Sequence, residues 1–127
     1  MTVAIKRIYE AASRNDGMRI LVDRMWPRGI KKDNAKIDLW LKDVAPSTSL
    51  RTWFGHKPER WEKFRERYLA ELSGNAALTE LRDLVKTRAR VTLLYSARDE
   101  DRNQAVVLAD YLGKPRRKKT IESRRSS

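Results

Sequence analysis

Val91-Thr92-Leu93-Leu94-Tyr95 is an almost unbroken apolar run with β-branched and aromatic content. A strand exposed on one face alternates apolar and polar residues, whereas this one needs cover on both faces. That places it at the centre of a sheet with other chain layers above and below, as in α/β proteins. Asn103 to Leu112, with Ala105, Val106, Val107, Leu108 and Leu112, reads as a helix apolar enough to lie against such a sheet.

The other elements fit that frame. Val3–Tyr9 and Met18–Val22 read as strands separated by the turn cluster Ser13-Arg14-Asn15-Asp16-Gly17. The gap of about eight residues is shorter than a parallel crossover requires, which predicts an antiparallel pair. Residues 37–44 stay undecided: positions 37, 39 and 41 alternate, while 37, 40, 41 and 44 suit a helix. Ser47 is placed to cap a short helix closed by Gly55, and Pro58 suits the start of a longer one. Trp61, Phe64, Tyr68 and Leu72 share one face of that helix. After Ser73-Gly74-Asn75 a further helix turns Leu78, Leu81, Leu84 and Val85 inward. The fold class is therefore α/β: a single small domain over residues 1–112 with a mixed sheet and flanking helices.

Charge needs its distribution rather than its total. The chain of 127 residues has a net charge of +12, yet Lys114, Arg116, Arg117, Lys118, Lys119, Arg124 and Arg125 against Glu122 give the last fifteen residues +6. With Ile121 almost their sole apolar residue, residues 113–127 are expected to form a disordered basic tail. Such a tail attracts polyanions in a salt-dependent way, so Arg116, Arg117, Lys118 and Lys119 are candidate nucleic-acid contacts. The absence of cysteine excludes disulfides, thiolate metal sites and thiol catalysis. No metal-ligand cluster or cofactor motif occurs, and no apolar run nears the ~18 residues of a membrane span. With no secretory leader visible, the expected location is the cytoplasm.

The residues that carry chemistry sit where strands end. Val22 runs into Asp23-Arg24-Met25-Trp26-Pro27-Arg28-Gly29, and Tyr95 runs into Ser96-Ala97-Arg98-Asp99. Ligands of open α/β sheets bind beyond the carboxyl ends of strands, often at the start of the next helix. Arg24, Arg28 and Arg98 suit a phosphate or carboxylate, with Trp26, Tyr95 and Asn103 shaping the site. Asp23 would orient the arginines or act as a base. Asp23 and His56, the sole histidine, are the catalytic candidates, and whether any bond is made or broken is left open. A structural alternative has Asp23 paired to an arginine and Trp26 plugging the core. Ser96 is a conceivable nucleophile with no identified base.

These blocks, together with Ala45-Pro46-Ser47, Leu50-Arg51-x-Trp53-Phe54, Trp61-x-x-Phe64 and Leu93-Leu94-Tyr95-Ser96-Ala97, resemble the bacterial YeaO-like family, domain of unknown function 488. The resemblance runs from Val3 to Leu112 and leaves the tail outside. It implies a cytoplasmic α/β protein and no established activity. In that family pattern a histidine often follows the asparagine matching Asn103; here the residue is Gln104, which weakens a histidine mechanism at that helix. A more distant branch carries a Cys/His/Arg cluster near the same strand exit, which a chain without cysteine cannot reproduce. The leading function is thus binding of a small anionic ligand at the strand exits. The alternatives are a nucleic-acid-associated protein and a protein-interaction or stress-response module. The oligomeric state is not legible.

Overall fold

The computed structural model describes residues 2–113. Four strands form one sheet: β1 (Thr2–Arg7), β2 (Met18–Leu21), β3 (Leu39–Trp40) and β4 (Arg90–Tyr95), in the order β1-β4-β2-β3. The helices are α1 (Lys32–Ala35), α2 (Thr48–Phe54), α3 (Trp61–Leu72), α4 (Ala76–Thr87) and α5 (Gln104–Gly113). As its composition requires, β4 is a central strand, and Val91 to Tyr95 are all buried. The basic tail, with Arg116, Arg117, Lys118 and Lys119, lies outside the described residues.

The sheet is parallel throughout, not mixed. The expected β1–β2 hairpin is also absent, because β4 lies between the two and pairs in parallel with both. The minimum crossover length assumes a helix in the connection. Extended chain covers about 3.3–3.6 Å per residue, so residues 8–17, whose one regular element is the 3-10 turn Arg14–Asp16 capped by Ser13, can return along a six-residue strand without an α-helix. This return segment is fastened to the sheet. The Thr92 hydroxyl donates to the Asp16 carbonyl at 2.7 Å, and the Asp16 carboxylate pairs with Lys6 at 3.0 Å and Arg19 at 2.5 Å.

Strand alternation divides the interior into two clusters. Ile20, Val22, Val91, Leu93 and Tyr95 face α2 to α5, which contribute Leu50, Phe54, Phe64, Tyr68, Leu81 and Leu108 among others. Leu21 and Leu94 face the other way, where Ile8, Ala35, Trp26, Ile30, Ile37 and Trp40 cover them. The long helices therefore lie on one face, and mainly irregular chain covers the other. Residues 37–44 resolve as both alternatives in miniature: β3 forms the sheet edge beside β2, then Lys42–Val44 make a 3-10 turn. Tyr68, fully buried, donates its hydroxyl to the Val44 carbonyl at 2.5 Å and pins this turn to α3. Ser47 caps α2 and Gly55 closes it in the left-handed region, as their residue types predict. No described helix is long and apolar enough to cross a membrane.

Candidate functional site

β2 and β4 are parallel neighbours, so their carboxyl ends open at the same place. Asp23, the second residue past β2, joins three elements there. Its Oδ2 accepts the Ser96 backbone N–H at 3.1 Å, and its Oδ1 accepts the Gln104 side-chain amide at 2.5 Å. One carboxylate thus ties the β2 exit to the β4 exit and to the first residue of α5. Its backbone carbonyl accepts the Trp40 indole N–H at 2.7 Å. Asp23 is only 7% exposed, and burial pushes its carboxyl above the ordinary aspartate value. Hydrogen bonds from Ser96 and Gln104, and the charge of Arg51, oppose that rise without cancelling it.

The next residues build a wall. The Arg24 guanidinium donates to the carbonyls of Pro46 at 3.1 Å and Ala45 at 3.0 Å. Trp26 donates its indole N–H to the Ile30 carbonyl at 2.6 Å and meets Trp40 edge-on with centroids 5.4 Å apart. Both contacts hold the loop in a fixed shape. Arg28 is anchored by its carbonyl, which accepts the Tyr9 hydroxyl at 2.8 Å, while its side chain stays exposed.

Together with Phe54 and Phe64, these residues line a cavity of about 480 Å³. Those two rings stack with centroids 4.4 Å apart. Of the candidates, Asp23, Arg24, Trp26, Arg28, His56 and Asn103 all line it. Tyr95 and Arg98 do not. Tyr95 is a core residue, 2% exposed, whose hydroxyl is driven to a higher pKa chiefly by burial. Arg98 is exposed outside the cavity because the exit loop turns at Asp99. The Asp99 carboxylate accepts the N–H groups of Asp101 at 2.9 Å and Arg102 at 3.1 Å, and that turn brings Arg102 to the cavity instead. Asn103 uses both ends of its amide structurally: Nδ2 donates to the Asp99 carbonyl and Oδ1 accepts the Val106 N–H.

Sequence reasoning did not select Arg51, Arg102 and Gln104, which also line the cavity. Arg51 had a readable signal, since it stands three residues before Phe54 on α2 and shares its face. Asp23 does not hold the arginines by contact: among the described residues no ion pair within 4 Å joins it to a cation, and the charge of Arg51 acts on it from farther away. The alternative, a direct pairing of Asp23 with an arginine, is likewise not formed among the described residues. His56 and Ser96 line the same cavity, but no hydrogen bond joins them, and no three His, Cys, Asp or Glu residues cluster among the described residues. His56 follows Gly55 in the left-handed region, with φ 58°.

A family model described as the inactive DUF488-N3 subclade matches residues 2–127. The chain belongs to the YeaO-like DUF488 family. It is 48% identical over 110 residues to the uncharacterized protein Rv3073c of Mycobacterium tuberculosis, covering 87% of this chain and 92% of that one. It is 47% identical over 113 residues to the uncharacterized protein YeaO of Escherichia coli, covering 88% and 97%. The match to the family model continues beyond Leu112, where the resemblance read from the motifs stopped. No solved structure matches.

Proposed function

We propose that this chain is a cytoplasmic binding protein for a small phosphate- or carboxylate-bearing ligand, held where β2 and β4 end. The observation that carries the reading is the charge lining the cavity. Arg24, Arg28, Arg51 and Arg102 stand against the single carboxylate of Asp23. Arg24 is committed to backbone carbonyls and Arg102 is shared with Asp99 at 3.5 Å, while Arg28 and Arg51 are exposed and make no side-chain hydrogen bond or ion pair within 4 Å among the described residues. Guanidinium groups at strand ends beside the start of α5 favour an anion by charge, fork geometry and helix dipole together.

Binding without turnover is the simpler reading. The two catalytic candidates are not coupled: Asp23 is engaged by Gln104 and Ser96, and among the described residues no hydrogen bond or ion pair joins His56 to a carboxylate. The description of the matching subclade as inactive supports the same reading.

A thermal-shift series with phosphate, nucleotides, sugar phosphates and carboxylates tests the proposal. A ligand at a hundredfold excess over its Kd stabilises the native state by about 2.7 kcal/mol, which is readily seen as a higher Tm. Arg51→Ala should weaken that ligand about tenfold or more, the worth of one charge-assisted hydrogen bond. A uniform absence of stabilisation, or an Arg51→Ala protein that responds as the wild type does, would remove the anion reading.

A further inference from the structure

The fold contains two aspartates buried to almost the same degree, and they are treated in opposite ways. Asp16 is 6% exposed and receives two cations, Lys6 and Arg19, along with the Ser13 N–H at 3.0 Å. Asp23 is 7% exposed and, among the described residues, makes no ion pair within 4 Å; four arginines line the same cavity, and the charge of Arg51 acts on it only from farther away. Its donors are the Gln104 amide and Ser96, both uncharged.

A buried carboxylate without a direct ion pair is costly, and the two hydrogen bonds do not require the charge. Asparagine at position 23 would keep both. Its carbonyl would accept the Ser96 N–H, and its amide would donate to the Gln104 carbonyl once that side chain turned over. The acid has remaining lone pairs, lies on the cavity wall, and offers an acceptor stronger than any amide.

We infer that the ligand of this cavity carries a hydrogen-bond donor, a hydroxyl or an ammonium group, seated on Asp23 while its anionic group lies against Arg28, Arg51 and Arg102. This rests on the anion-binding reading and narrows it to small molecules bearing both groups. Burial holds the carboxyl at a raised pKa despite Ser96, Gln104 and the charge of Arg51, and a donor from the ligand adds the direct contact that no cation of the described residues makes.

Three phosphate esters that differ at one position separate the outcomes: ethyl phosphate, 2-hydroxyethyl phosphate and 2-aminoethyl phosphate, titrated calorimetrically into the full chain at neutral pH. At least one donor-bearing ester should bind about tenfold tighter than ethyl phosphate, in line with a hydrogen bond to a charged group. Whichever of the two leads identifies the donor as hydroxyl or ammonium. In Asp23→Asn that ratio should collapse toward one. Equal binding of all three by the wild type would overturn the inference and leave the anion reading in place. No binding of any would overturn both. A ratio that persists in Asp23→Asn would show that the donor sits elsewhere. Because the wild-type ratio decides the first point, a poorly folding Asp23→Asn chain does not rescue the inference.

Discussion

Replacing Asp16 by alanine is expected to cost about 3–5 kcal/mol of folding stability, the largest single loss outside the hydrophobic core. The Arg19 side chain is 7% exposed and has three partners: the Asp16 carboxylate at 2.5 Å and the carbonyls of Lys36 at 2.8 Å and Ala35 at 3.1 Å. Without Asp16 its charge stays buried with neutral acceptors alone, and Lys6 loses its partner as well. The same carboxylate closes the capping box with Ser13, so the return segment between β1 and β2 would loosen too. An exposed pair such as Lys63–Glu66, at 3.4 Å, should by contrast contribute only about 0–1 kcal/mol. Urea unfolding reads the difference as a lower midpoint at unchanged slope; a loss below about 1 kcal/mol would contradict it.

The acid dependence of this cluster follows in sign. Burial alone would raise the Asp16 pKa, but the hydrogen bonds from Ser13, Lys6 and Arg19 together outweigh it and hold the carboxyl below its ordinary value. A depressed folded pKa contributes stability above the unfolded value of about 3.9, lost as pH falls through the folded value. Wild type should therefore shed this contribution below about pH 4, and Asp16→Ala should show a flatter acid limb.

Gly17→Val is the second large effect, expected at about 3 kcal/mol or more. Gly17 has φ +65°, and a Cβ there would lie 2.3 Å from the Arg90 carbonyl oxygen. Backbone cannot yield as a flexible side chain does, because Arg90 is the first residue of β4 and Met18 pairs with Val91 beside it. Strain and overlap therefore add. Gly29, at φ +81° with open space around it, carries the strain without the overlap and sets the comparison. Thermal unfolding should show Gly17→Val far below Gly29→Val; similar values would mean that the close approach to Arg90 is unimportant.

These two sites also mark what was legible in the sequence. The apolar run at Val91–Tyr95 carries its own burial requirement, so the central strand and the α/β class could be read from it. So could the joint position of Asp23 and Ser96, because each stands just past a strand end. The parallel return from β1 to β2 could not. It depends on long-range partners for Asp16 and on β4 entering between strands from more than seventy residues away in the chain. The choice of Arg102 over Arg98 was hidden for a smaller reason. Both lie in the same charged loop, and the turn made by Asp99 decides which one reaches the cavity. Helix and strand periods in 37–44 were balanced because the segment contains a two-residue strand followed by a 3-10 turn.

The proposed anion site lies where β2 and β4 end. Titration of the isotopically labelled full chain with inorganic phosphate, followed by amide NMR shifts, tests it most directly. Saturable shifts should concentrate at Arg28, Arg51, Ser96 and Gln104, which surround the cavity. Shifts confined to residues 114–127, or no saturable shift near Ser96, would contradict it.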